Sequence, residues 1–369
     1  MNILVFNWRD IKHSWAGGSE LFIHELMKRW VEQGNNVTLF CAQDMELKLP
    51  KAEMVDGVRI YRKGGRYSVY LWAIVYYIKK LRKDVDLIVD VENGIPFFTT
   101  VYSRKKKVCL VYHVHGEQFF YELPFPLAQI GFALEKYLFP LLYKKVNVIS
   151  ISKSTKKKLI ELGFPKNNIF IVNPGVRKNN SKSNLGGKYK KPTILYLGRI
   201  KSYKRLPVLI NSFPKIIEKF PNAKLIIAGW GTDAPAVSDM IMKGRYRKNI
   251  EILGPVSEAE KRNLLEKSWI FVNPSIHEGW GISVIEANLY GTPAIAFDVP
   301  GLSDAIINNE TGFLCKNQED LINKINLVIE NEKLREKLSL SARKWADKFD
   351  WSLSAKQSLD VLQKTLKSK

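Results

Sequence analysis

Residues 3–40 read ILVFNWRDIKHSWAGGSELFIHELMKRWVEQGNNVTLF, and the fold is decided there. The apolar run ILVF is a strand, and a polar loop carries the chain to Gly17 and Gly18. The amphipathic run SELFIHELMKRWVEQG follows, with Ser19 placed to cap its start and Gly34 its end. A second strand, NVTLFC, closes the unit. Strand, glycine loop, helix and strand in this order return the chain parallel to itself, so a parallel sheet covered by helices is expected. The pattern continues through VRIYR, DLIVDV, KVCLVYHVH, VNVISIS and NIFIVNPGV, with helical or loop segments between them.

Residues 177–192, RKNNSKSNLGGKYKKP, have almost nothing to bury and read as a linker. Beyond them the alternation restarts with the strands TILYLG, KLIIAG, IEILG, WIFVNPS and PAIAFD, with helices across LPVLINSFPKIIEKF, near SEAEKRNLLEKS and in the 320s. At 369 residues the chain is too long for one ordinary core. The expected organisation is therefore an N-terminal α/β domain over 1–176, a linker over 177–191, a second α/β domain over 192–350 and an amphipathic tail over 351–369 that packs along a groove and frays at its end. Two doubly wound domains facing a central cleft put the ligand site at the carboxyl ends of their strands.

Bulk composition narrows the class. With 46% hydrophobic and 11% aromatic residues, disorder is excluded for the whole. Cys41, Cys109 and Cys315 show no CxxC spacing and read as buried thiols of a reducing compartment. Residues 1–8 lack the charged and apolar regions of a signal peptide, and the apolar runs are too short or too interrupted to span a bilayer, so a cytoplasmic location is expected. The net charge of +22 points to polyanionic surroundings, which include nucleic acid, anionic lipid and phosphate-bearing substrates, or simply to lysine-rich usage.

Three stretches carry chemistry. In WAGGSELF the glycines and the helix start can approach an anion, although a Gly-Gly turn alone is ordinary turn chemistry. In LGRIKSYKRLP a strand ends at Gly198 and is followed by Arg199 and Lys204, a planar fork and a point charge able to grip a pyrophosphate. Residues 277–287, HEGWGISVIEA, bring a loop with Gly279 and Gly281 to a helix start, with Glu278 before it and Glu286 within it. The helix start exposes amides for an anion, and the two carboxylates suit sugar hydroxyls.

Together these features resemble the retaining nucleotide-sugar glycosyltransferases of family 4, with the GT-B fold of two Rossmann-like domains. The resemblance rests on the early Gly-Gly loop, on NPGV at 173–176, on GRIKSYKR, on HEGWGISVIEANLYGTPAIAFDVPGLSDAI and on a C-terminal Trp-Ser helix. It implies that Arg199 and Lys204 hold the donor diphosphate, that Glu278 contacts the donor sugar and that Glu286 bonds the ribose. The amides of Gly279, Trp280, Gly281 and Ile282 would face the sugar and phosphates, with Gly17, Gly18 and Gly175 contributing from the first domain. In VCLVYHVHGEQFF the HG pair makes His115 a better match than His113 to the family histidine, which would meet the transferred sugar or the acceptor. Asp304 stands where the family has an acidic residue after its PG turn.

The resulting expectation is a retaining transfer from a nucleotide-diphosphate sugar to a hydroxyl of a lipid-linked or cell-envelope glycan, with no metal and no other cofactor. An epimerase or phosphorylase of the same fold is the alternative, and a nucleic-acid-binding protein a remoter one, since no nucleic-acid-binding module is recognisable. Basic and aromatic segments at RKGGRYSVYLWAIVYYIKKLRK, SRKKKV and 119–145 fit either amphipathic helices packed on the sheet or a surface resting on an anionic membrane.

Overall fold

The computed structural model describes residues 1–177 and 187–368. Most of the stretch expected as a linker lies outside them. Lys188 and Tyr189 at its end belong to the following unit: Lys188 Nζ donates to the Glu266 carbonyl at 2.8 Å and to Thr292 Oγ1 at 2.7 Å, and the Tyr189 amide donates to the Lys267 carbonyl. The chain divides into two compact units, one of Met1–Gly175 with Trp351–Lys369, the other Val176–Asp350.

The described residues of the first unit form an eight-stranded sheet of β1 (Asn2–Phe6), β2 (Asn36–Cys41), β3 (Ala52–Val55), β4 (Val58–Arg62), β5 (Leu87–Glu92), β6 (Lys106–Val111), β7 (Asn147–Ser150) and β8 (Ile169–Ile171). Its order is β3-β4-β2-β1-β5-β6-β7-β8, and every pair is parallel except β3 with β4. Strands β1 and β5 are buried without alternation because helices cover both faces. The first helix runs Gly18–Glu32, and its cap is Gly17 rather than Ser19. Glu20 is the cause: as third helical residue it turns back to the Gly17 amide at 2.8 Å and fixes the cap two residues before Ser19. Gly34 follows the helix with φ +79°, as a terminating glycine does.

The C-terminal helix Trp351–Lys367 packs on Gly18–Glu32, β6 and β7 within this unit. The helix is regular to Lys367, and the Ser368 carbonyl accepts from Lys106 Nζ at 2.7 Å.

The second unit has six parallel strands in the described residues, β9 (Thr193–Leu197), β10 (Lys224–Ala228), β11 (Ile250–Gly254), β12 (Ile270–Asn273), β13 (Ala294–Phe297) and β14 (Gly312–Cys315). Their order is β11-β10-β9-β12-β13-β14. The order reverses between β9 and β12, so the loops leaving those two strands diverge to opposite faces and open a crevice at their carboxyl ends. The core beside it joins Ile194 and Tyr196 of β9 to Phe213 and Ile216 of the helix Leu206–Lys219 and to Leu321 and Ile325 of the helix Gln318–Glu330.

Candidate functional site

The crevice of the second unit collects the cation-bearing loop after β9 and the glycine-bracketed loop after β12. The two are tied by a backbone bond, the Ile276 amide donating to the Tyr203 carbonyl at 3.0 Å. Lys204 ends a single 3-10 turn, Ser202–Lys204, and its ammonium is ion-paired with Glu278 Oε1. The same oxygen accepts from Asn273 Nδ2 at 3.1 Å and from Ser275 Oγ at 2.9 Å. Asn273 and Ser275 are buried and also bonded to each other at 2.6 Å, so the carboxylate is oriented before any ligand arrives.

Burial opposes the charge on Glu278, but the Lys204 charge, followed by the bonds from Lys204, Asn273 and Ser275, outweighs it and holds the carboxyl below its ordinary value. Burial likewise opposes the ammonium, and Glu278 more than offsets it, raising the Lys204 pKa. Both groups are therefore charged across the neutral range. Lys204 has three N–H donors, and Glu278 takes one, so one ammonium can bridge Glu278 and a phosphate oxygen.

Arg199 leaves β9 two residues after its end, its carbonyl accepting from Tyr196 Oη at 2.6 Å and its guanidinium 5.6 Å from the Trp230 ring centre. Gly281 caps the helix Ile282–Leu289 in the left-handed region, φ +83°, where a side chain would be strained. The amides of Ile282 and Ser283 open the first turn and cannot be bonded within the helix. Gly301 is constrained from the other side: a Cβ there would lie 2.1 Å from the Glu278 carbonyl oxygen.

Glu286 is the fifth residue of that helix, roughly 6 Å along its axis from the start. Its Oε1 accepts from Lys261 Nζ at 2.9 Å, and Lys261 also reaches Glu258. Trp280 offers a donor only its backbone, because its side chain is buried with its ring 5.1 Å from Phe349.

In the first unit Gly17 and Gly18 do open a helix, but the N-terminus already faces a carboxylate of the chain's own. The fully buried Glu20 accepts from the Gly17 amide, from Ser19 Oγ at 2.9 Å and from Arg9 Nε at 3.0 Å. Gly175 is the last residue of this unit before the chain leaves it, two positions after Asn173, whose carbonyl accepts from Ser354 Oγ. His115 follows β6 and is stacked on Phe119, ring centres 5.0 Å apart, and its ring centre is 4.0 Å from that of His113. Glu135 bonds the amides of His115 and Gly116, each at 2.6 Å.

The residues that sequence reasoning missed are partners: Asn273 and Ser275 for Glu278, Lys261 for Glu286, Glu20 and Arg9 at the Gly-Gly turn, and Glu135 at His115. Two of these had a local signal: Asn273 and Ser275 lie within five residues of Glu278 in VNPSIHE, and Glu20 lies three residues after Gly17 in WAGGSELF. Exposed apolar side chains occupy two of the basic segments of this unit: Leu71, Trp72 and Ile78 in one, Phe120, Tyr121, Phe125, Tyr137 and Leu141 in the other. Among the described residues no helix is long and apolar enough to cross a membrane.

Residues 177–345 match the family described as glycosyl transferases group 1, and residues 16–179 match glycosyltransferase family 4. The chain belongs to the family 4 glycosyltransferases, with the GT-B fold. An uncharacterised glycosyltransferase of Methanocaldococcus jannaschii is 24% identical, over 98% of this chain and 97% of its own. The poly(ribitol-phosphate) alpha-N-acetylglucosaminyltransferase of Staphylococcus aureus is 27% identical over 73% of this chain and 54% of its own length. Anabaena HepE, solved in complex with UDP and glucose, superposes with a TM-score of 0.76 at 16% identity, covering 99% of this chain and 100% of that one. This family 4 glycosyltransferase thus joins two parallel-sheet units, one of which carries a charged pair and a helix start at its switch point.

Proposed function

We propose that the protein transfers a sugar, with retention of anomeric configuration, from a nucleoside diphosphate sugar to a hydroxyl of a lipid-linked or cell-envelope glycan. The observation that carries this reading is the Lys204–Glu278 pair at the β9/β12 switch point, beside the helix start at Ile282. Lys204 and Arg199 take the diphosphate, with the amides of residues 279–282; Glu278 receives sugar hydroxyls and Glu286 the ribose. The solved complex of Anabaena HepE with UDP and glucose makes a uridine nucleotide the first donor to test. The staphylococcal relative, named for a poly(ribitol-phosphate) acceptor, supports a polymeric envelope acceptor.

Glu278 suits hydrogen bonding better than covalent attack, since three donors converge on one of its oxygens and keep it a weak base. Transfer then proceeds on one face. The bond from the anomeric carbon to the phosphate oxygen breaks, the acceptor oxygen bonds that carbon from the same side, and the acceptor proton passes to the departing phosphate. Charge developing on the diphosphate meets two cations and a helix N-terminus, which is where the catalysis resides. Those cations supply what a metal would at the leaving group, so transfer without added metal is expected. His115 meets the transferred sugar or the acceptor from the first unit.

A thermal-shift panel of nucleoside diphosphates and their sugars tests the reading, because a ligand bound only to the folded state raises the melting temperature. Glu286→Gln should shrink the shift of the best nucleotide, and Arg199→Ala should lower both affinity and turnover. Unaltered turnover in both variants would remove the assignment. The exposed Leu71, Trp72 and Ile78, in a segment that carries Lys79, Lys80, Arg82 and Lys83, further support peripheral binding to anionic bilayers, and vesicle flotation at low salt that leaves the protein at the bottom would refute that part.

A further inference from the structure

Glu92 ends β5, His115 follows β6, and Glu135 sits in the π-helical segment Leu134–Leu138, yet one ligating atom of each lies within 4.8 Å of the others. His115 Nδ1 is 3.4 Å from Glu135 Oε1 and 4.0 Å from Glu92 Oε1. An ion about 2.1 Å from each of two ligands separates them by roughly 3 to 4.2 Å, depending on the angle at the metal, and both spacings fall in that interval. The Glu92 and Glu135 side chains are almost fully buried and that of His115 is 9% exposed. Glu92 Oε2 and His115 Nδ1 have no hydrogen-bond partner, which is unusual for polar atoms at this depth and is resolved by a ligand.

The surroundings orient the carboxylates as a second layer of a metal site does. The Gly94 amide donates to Glu92 Oε1 at 2.9 Å, and the His115 and Gly116 amides donate to the two oxygens of Glu135. The π-helical turn displaces Glu135 from regular α-helical spacing, a distortion common where a side chain is aimed at a site. Two buried carboxylates this close to one imidazole repel each other when bare, and a dication among them removes that conflict.

We infer that Glu92, His115 and Glu135 form a site for a first-row transition dication in the N-terminal unit. One imidazole with two carboxylates suits Zn2+, Mn2+ or Co2+ better than Ca2+, which prefers six or more oxygens. The ion would pin the ends of β5 and β6 to the helical segment that follows and fix the His115 tautomer, with Nδ1 on the metal and the proton on Nε2. Of the residues in the proposed function it shares only His115, whose Nε2–H stays available to a ligand; the Lys204–Glu278 pair that carries that reading belongs to the other unit.

The test uses the full chain, stripped of metal and returned to chelator-free buffer. Co2+ is titrated while visible absorption is recorded, Zn2+ is then added as competitor, and melting temperature is followed in parallel. Saturation at a single equivalent, loss of the cobalt spectrum on adding Zn2+ and a rise in melting temperature are expected. Glu92→Gln should weaken binding more than about tenfold, and His24→Ala, at a histidine elsewhere in the unit, should not. Circular dichroism of metal-free Glu92→Gln separates lost binding from misfolding, and His115→Ala provides a second ligand deletion. No stoichiometric binding by the native chain, or binding that persists in both ligand variants, would overturn the inference; the carboxylates would then share a proton.

Discussion

Glu278 Oε1 receives an ammonium, an amide and a hydroxyl, and its pH behaviour follows from that crowding. A carboxyl whose folded-state pKa lies below the unfolded value contributes stability that is present above the unfolded value, near 4.5, and is lost as pH falls through the lower one. The difference in unfolding free energy between the native chain and Glu278→Gln is therefore expected to be constant from neutral pH down to about 5 and to shrink below the ordinary glutamate pKa. Denaturant melts at a series of acid pH values measure it. A difference that grew on acidification would mean that Glu278 is destabilised, not stabilised, by its ionisation. Lys204 adds no slope at acid pH, since a raised lysine pKa acts only on the alkaline side.

At the scale of elements, the loop before Ile282 is shaped by Gly301 as much as by its own glycines. Gly301→Ala would place a methyl group 2.1 Å from the Glu278 carbonyl oxygen at a residue with φ +84°, so both contact and backbone oppose it. A loss of more than about 2 kcal/mol in stability, with a disproportionate loss of nucleotide affinity, is expected; an unshifted nucleotide titration would show that the Glu278 loop is not part of the donor site. The two parallel sheets and the helix start at Ile282 were legible in sequence because they follow from local periodicity and from glycine placement. The hairpin of β3 and β4 escaped notice although Asp56-Gly57 is a two-residue turn with both φ positive, a signal that MVDGVRI carries. The helix Glu332–Ala346 was missed despite its capping Asn331, which accepts from the Leu334 amide. Lys261 with Glu286, and Glu135 with His115, had no local signal at all, since only the folded chain brings such distant positions together.

At the scale of the molecule, the chain leaves its first unit after Gly175 and returns to it at Trp351, so the final helix completes a unit begun some 350 residues earlier. Trp30 Nε1 donates to Ser358 Oγ at 3.0 Å, Asn147 Nδ2 to Thr365 Oγ1 at 2.8 Å, and the Phe22 and Trp351 rings lie 6.0 Å apart. Leu362 on the same helix is fully buried. Truncating it removes apolar surface from the first unit and leaves a cavity, which costs about 2–5 kcal/mol for a leucine of this kind. If the units unfold separately, Leu362→Ala should quicken amide exchange in residues 18–32, 106–111 and 147–150 while β9, β10, β12 and β13 keep their protection. Exchange quickened equally in both sheets would instead make the whole chain one cooperative block, with the final helix as the segment that closes it.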